Sequence, residues 1–331
     1  MAAGGGNFDF HIISIICFYR ARGMKVRLWF RSRLCSALLP LVVCVLFQGS
    51  VTAEVMPRNN GFLFALEKDG HVSYLLGTIH TGFSAEQNLG ENIIGALKVA
   101  RKLYVEADIS DSQGVSQKIE ANGFTQAPLL RATIGPVNYD FYHRILVERA
   151  NFFSEDEYAH AKPWLITMVM PIYDPLQDEP PHLQFGSELQ LLPFAKEHRI
   201  PIGELEGLEA QLKAFDTGTS AAAGTVFDAY AKLVKTHVIY GIVRDEVLAW
   251  TAADMGALER TVARRRALND PYSSFYNVNI LKNRSRSMAA AISSISNKEA
   301  GVFFAIGAEH LVGPDGVLRA LSEKGFRLRR L

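Results

Sequence analysis

The chain has 331 residues, 48% of them hydrophobic and 21% charged, with 35 Lys and Arg against 34 Asp and Glu. This composition excludes bulk disorder and supplies enough apolar residues for a sizeable core, in one large α/β domain or two small ones. Charges this nearly balanced also exclude a strongly basic chain.

The first 53 residues read as a leader rather than as part of the fold. Met24-Lys25-Val26-Arg27, with Arg31 and Arg33, forms a basic head, Leu38 to Phe47 is apolar, and Val51-Thr52-Ala53 is a small-residue cleavage site. We therefore expect a signal peptide over residues 24–53, with Met24 as the initiator, cleavage after Ala53 and a periplasmic or secreted product. The apolar run from Leu34 to Phe47 is 14 residues long, short of the roughly 20 that span a bilayer, so a permanent anchor is the less favoured alternative. Cys17, Cys35 and Cys44 all lie in this segment, which leaves the mature chain without a disulfide or a cysteine metal site. Removing the leader's six basic residues and one acid leaves 29 basic and 33 acidic residues, a charge near −4 that argues against general nucleic-acid binding.

From residue 54 to 331 the pattern is that of one α/β domain. Phe62 to Leu66 and His71 to Leu76 are apolar runs flanking Glu67-Lys68-Asp69-Gly70, and Asp-Gly between such runs predicts a hairpin. Asn88 to Arg101 has helical spacing and leads into the strand-like Leu103 to Asp108, an order that favours a parallel pair joined by a crossover helix. The middle is helical: Tyr139 to Arg149, Ser154 to His160 with a Ser154/Glu157 capping box, and Leu165 to Met170 stopping at Pro171. Asp174 to Pro181 is Pro-rich and acidic, hence a loop, and Ser187 is a candidate cap for a helix reaching Glu197.

Ile200 to Leu205 reads as a short strand delivering Glu206 at its end. Ala221 to Leu268 and Asn279 to Ile295 are helical, with Arg264-Arg265-Arg266 expected on a solvated face. Val302 to Ile306 is an unbroken apolar run, the mark of a strand buried on both faces, and a helix over Val317 to Lys324 and a strand over Phe326 to Arg330 close the chain. The expected fold is a single mixed, largely parallel sheet flanked by helices, with a helical insertion in the middle of the chain.

Two Gly-x-x-His sequences stand out, Gly77-Thr78-Ile79-His80 and Gly307-Ala308-Glu309-His310. Counting gives them no weight, because 26 Gly and 9 His in 331 residues predict about 0.7 such pairs by composition alone. Position gives them weight: each follows the C-terminal end of an apolar run, where open α/β sheets bind ligands. Glu106 ends another such run, with Asp108 as the competing carboxylate. Two imidazoles and a carboxylate at neighbouring strand ends would suit Mn, Co, Fe or Zn, whereas structural roles for the same residues are the plain alternative. The chain lacks Gly-x-Ser-x-Gly and the P-loop, which leaves serine-hydrolase and nucleotide readings without support.

These residues carry a resemblance. The TraB/GumN family, related to the Tiki proteins, runs a strand into Gly-Thr-x-His and ends a later strand in Glu-x-Asp, as Glu106-Ala107-Asp108 does. It then has Leu-Glu followed by Glu-x-Gln, matched by Leu205-Glu206 and Glu209-Ala210-Gln211, and Gly-x-x-His-Leu-x-Gly-x-x-Gly, matched by Gly307 to Gly316. Two positions depart from it: Gly207 stands where Thr or Ser is usual, and Arg284 is followed by Ser285 rather than Asn. The resemblance implies a divalent metal (Mn, Co or Zn) on His80, His310 and Glu106, with Glu206, Glu309 and Arg284 as catalytic groups alongside Glu106. It implies hydrolysis of peptide bonds by metal-activated water, with peptides or small molecules as partners; the leader alone is expected to meet the membrane. An ester or lactone hydrolase, a haem- or metal-binding protein without turnover, and an envelope protein are the alternatives.

Overall fold

The computed structural model describes residues 61–83, 89–173, 182 and 185–331. The expectations for the leader and for Asp174 to Pro181 lie outside the described residues. Among those described, no helix is long and apolar enough to cross a membrane.

Six strands form one mixed sheet: β1 (Phe62–Lys68), β2 (His71–Thr78), β3 (Leu103–Val105), β4 (Ile202–Glu204), β5 (Phe303–Gly307) and β6 (Arg327–Arg330), in the order β4-β3-β5-β2-β1-β6. Strands β4, β3, β5 and β2 are mutually parallel, while β1 is antiparallel to both β2 and β6. The β1–β2 hairpin turns at Asp69 (φ 49°) and Gly70 (φ 78°), the paired left-handed residues that let a two-residue turn match strand twist. The crossover α1 (Glu91–Lys98) joins β2 to β3, yet these strands are not neighbours. Strand β5, far away in sequence, sits between them and pairs Thr78 with Gly307 and Val105 with Ala305. That insertion brings the two Gly-x-x-His sequences side by side.

The sheet separates two apolar layers by simple alternation. Leu63, Leu76, Leu103, Phe303 and Ala305 pack with α1 and α6 (Glu188–Glu197) on one face. Phe62, Leu75, Tyr104, Phe304 and Ile306 pack on the other with residues of α9 (Val238–Thr251), α10 (Met255–Arg266), α12 (Arg284–Ser296) and α13 (Val317–Glu323). Strand β5 is buried throughout, as its uninterrupted apolar run predicts. Trp250 is fully buried and its indole N–H donates to the Gly77 carbonyl at 2.8 Å, tying α9 to the end of β2.

A third core lies in the helical part of the chain, where α2 (Ser112–Gly123), α3 (Leu130–His143), α4 (Glu155–His160), α5 (Pro163–Tyr173), α7 (Leu208–Phe215) and α8 (Ser220–Lys235) enclose Tyr142, Tyr158, Ile166, Phe227 and Tyr230. The Ser154/Glu157 capping box opens α4 as expected. Helix α5 continues through Pro171 rather than stopping there. Proline cannot donate to the Thr167 carbonyl, and the Tyr230 hydroxyl supplies that carbonyl with a donor instead, at 3.4 Å. The segment Arg144–Arg149 is π-helical, as is Tyr276–Asn283, which follows α11 (Pro271–Phe275) and leads directly into α12.

Candidate functional site

Four parallel strands end on one edge, and a polar residue follows each. His80 comes two residues after β2, Glu106 one after β3, Glu206 two after β4 and His310 three after β5. The backbone holds two of these ends together, because the Glu106 carbonyl accepts from the N–H groups of Glu206 (3.1 Å) and Gly207 (2.9 Å). Gly207 has φ 88°, a conformation that the usual Thr or Ser adopts only with strain. The missing hydroxyl thus coincides with a turn suited to glycine.

Glu106 is the hub. Its Oε1 accepts the Gly307 N–H at 2.6 Å, and its Oε2 accepts Arg284 Nη2 at 2.6 Å and Gln211 Nε2 at 2.9 Å. Arg284 also donates from Nε and Nη2 to Glu206 Oε2, at 3.0 and 2.9 Å, so one guanidinium clamps both carboxylates. Burial works against charge on Glu106, but Arg284 first, then His310, His80 and the Gly307 N–H, outweigh it and hold the carboxyl down at about 2. At Glu206 burial prevails over Arg284 and raises the carboxyl above its ordinary value. Two clamped neighbours therefore have proton affinities moved in opposite directions.

Both histidines are anchored through Nδ1. His310 is 5% exposed, and its Nδ1 shares a 2.9 Å hydrogen bond with Ser285 Oγ, while its Nε2 lies 3.9 Å from Glu106 Oε1. Burial lowers its pKa to about 4, with Glu106 opposing, so the ring is neutral near pH 7. His80 Nδ1 lies 3.1 Å from Glu188 Oε1, which also accepts the Thr78 hydroxyl at 2.5 Å. Glu188 raises the His80 pKa, although the side chain is 69% exposed and solvent screens part of that pull. Ser187 occupies the N-cap position of α6, as expected, but its side chain makes no capping bond: its hydroxyl takes the Ile79 N–H at 2.8 Å, and its own N–H donates to the Ile79 carbonyl. This pins the loop carrying His80 to α6.

The glycines of the two motifs serve different ends. A Cβ on Gly77 would meet Leu311 Cδ1 at 2.5 Å and Ala308 Cα at 3.3 Å, so glycine there permits close packing. A Cβ on Gly307 would stand 3.4 Å from Glu106 Oε1, 3.5 Å from His310 Cδ2 and 3.7 Å from His80 Nε2. The space beside Gly307 is a small cradle faced by both imidazoles and the carboxylate.

Other expected residues lie elsewhere. Asp108 accepts the Ser110 N–H at 2.9 Å and turns the chain toward α2. Glu309 accepts the Tyr276 hydroxyl at 2.7 Å and pairs with Arg265, whose Nη2 reaches Glu246 Oε1 at 2.6 Å. Arg265 is 6% exposed, which corrects the expectation that the Arg264-Arg265-Arg266 run lies on a solvated face; Arg264 alone is exposed, pairing with Asp245. Glu188 carried no chemical signal in the sequence. Ser285, apparent only as a departure, supplies the hydroxyl partner of His310. Among the described residues no group of three or more His, Cys, Asp or Glu side chains is set to hold a metal ion; Glu106 is engaged by Arg284 and Gln211.

An α/β sheet that gathers two anchored histidines and a clamped carboxylate pair at its parallel strand ends defines a protein with a preorganised polar site. The sequence pattern of the TraB/PrgY/gumN family matches residues 62–330, and the chain belongs to that family. No curated protein and no solved structure matches it.

Proposed function

We propose that the protein is an exported metal-dependent hydrolase of acyl bonds, with peptide amides as its first substrate class. The observation carrying this reading is the Gly307 cradle, where the Nε2 side of His80, the Glu106 Oε1 atom and the His310 ring face one point. Each imidazole is held through Nδ1 by Glu188 or Ser285, the outer-shell support that orients histidine ligands. His80 and His310 would hold the cation, with Glu106 as the third ligand once its carboxylate turns from its present partners. A divalent cation there would polarise a scissile carbonyl and acidify a water molecule. Binding through Nε2 would require the His80 ring in its neutral form. Glu206, with its raised pKa, is the proton-transfer group, because Glu309 is committed to Arg265 and Tyr276. Arg284 keeps Glu106 ionised and Glu206 in position, and its Nη1 takes part in neither pair.

Metal-stripped protein should regain peptide hydrolysis when Mn, Co or Zn is added. Restored cleavage of esters alone would move the reading to an ester or lactone hydrolase, and no turnover with either class would overturn it.

The two glycines give a sharper prediction. Gly307 has φ −52° and ψ 134°, open to any residue, so Gly307→Ala should retain or gain stability, by about 0.4–1 kcal/mol. Its methyl group would fill the cradle and weaken cation binding and turnover at least tenfold. Gly77→Ala should instead lose about 1–3 kcal/mol through overpacking against Leu311 and Ala308. Thermal melts and metal titrations of both variants separate the two roles, and undiminished metal affinity in Gly307→Ala would contradict the assignment.

A further inference from the structure

Away from the strand ends, a cavity of about 180 Å³ opens between the α2–α3 connection, the start of α5, the α7–α8 connection and α11. Its floor includes the buried Trp164 and Phe227, and Phe215, Tyr272 and Tyr276 form its walls. Phe215 stacks on Trp164 with ring centroids 6.3 Å apart. Exposed Ala127, Gly218 and Thr219 stand at its mouth. The lining also carries polar groups, Lys162, Asp216 and several threonines among them, but an apolar cavity of roughly 150 Å³ takes one benzene ring, so there is room for a single aromatic side chain. Aromatic walls favour such an occupant through offset and edge contacts.

Two elements connect this cavity to the candidate site. Helix α7 carries Gln211, bonded to Glu106, and Phe215 one turn further on, about 6 Å along the helix axis. The π-helical segment begins at Tyr276 in the cavity wall and ends against Arg284, and the Tyr276 hydroxyl donates to Glu309, the neighbour of His310. The cavity and the candidate site are therefore built in part from the same two elements.

We propose that this cavity is a specificity pocket that receives one aromatic side chain of a peptide substrate. The proposal rests on the hydrolase reading for the site but assigns a separate binding step. No residue that contacts Glu106 lines the pocket, so it can be altered while the clamp stays intact.

The test is calorimetric titration of the full chain with N-acetyl-L-phenylalaninamide and with N-acetyl-L-alaninamide. The phenylalanine compound is expected to bind one to one, at least tenfold more tightly than the alanine compound. Ala223 lines the cavity from α8, and Ala223→Phe should abolish that preference by filling it; Ala223→Leu does the same with less bulk if the larger variant fails to fold. Equal binding of both compounds, or an undiminished preference in a folded Ala223 variant, overturns the pocket. Aromatic-selective binding without turnover supports the pocket while removing the hydrolase reading, and turnover of peptides regardless of aromatic content does the reverse.

Discussion

Replacing Arg265 with methionine is expected to destabilise the protein by about 3–5 kcal/mol, because it leaves the buried Glu246 and the largely buried Glu309 without their shared cation. The guanidinium pairs with both Glu246 and Glu309 and lies 4.5 Å from the centre of the Tyr276 ring. Burial raises the Glu246 carboxyl well above its ordinary value despite the opposing pull of Arg265, whereas the Glu309 carboxyl is lowered, against burial, by Arg265. Glu246 thus has the higher proton affinity of the two carboxylates. Glu246→Gln removes its charge and keeps its shape, since an amide oxygen can accept from Arg265 while the amide nitrogen donates toward Glu309. We expect it to stay within about 1 kcal/mol of the parent. The pH dependence has a definite sign. A folded-state pKa raised above 4.5 means that the contribution of Glu246 is full below that value and fades as pH climbs through the folded one, whereas Gln is indifferent. Urea midpoints taken upward from pH 4 should therefore move in favour of Glu246→Gln, and an unchanged midpoint in Arg265→Met would show that the trio contributes little.

The second large effect concerns the histidines. His80→Ala and His310→Ala should each reduce metal-restored turnover to background, because each removes an Nε2 that nothing nearby replaces. Glu188→Gln and Ser285→Ala keep the rings but loosen their orientation, so they should cost roughly 10–100-fold in metal affinity, the usual range for outer-shell partners. Steady-state rates at saturating metal distinguish the two classes, since the outer-shell variants recover with added metal and the alanine variants do not. Equal rates in all four and the parent would remove the histidines from the chemistry.

Local signals carried much of this fold. Asp69-Gly70 marks a hairpin by its own backbone preference, Ser154 and Glu157 announce a helix start, and the apolar run at β5 requires a strand covered on both faces. Each is a property of a few neighbouring residues. The place of β5 between β2 and β3 is a long-range pairing, and nothing in the strand-helix-strand order around α1 encodes it. The same holds at the site. His80, His310, Glu106 and Glu206 are legible because they close apolar runs, whereas Glu188 and Gln211 come from helices whose facing only the tertiary packing decides. Arg265 was hidden by its neighbours, since three successive arginines look alike in sequence and only helical rotation sends one of them inward. Pro171 misled in the opposite way, because the hydroxyl that tolerates it arrives from Tyr230, sixty-three positions after the Thr167 carbonyl it serves.

The central claim is that His80 and His310 hold one divalent cation in the cradle beside Gly307. Elemental analysis of the purified parent beside His80→Ala and His310→Ala tests it most directly. The account predicts about one equivalent of metal in the parent and a loss of at least tenfold in each variant; equal metal content in all three proteins would contradict it.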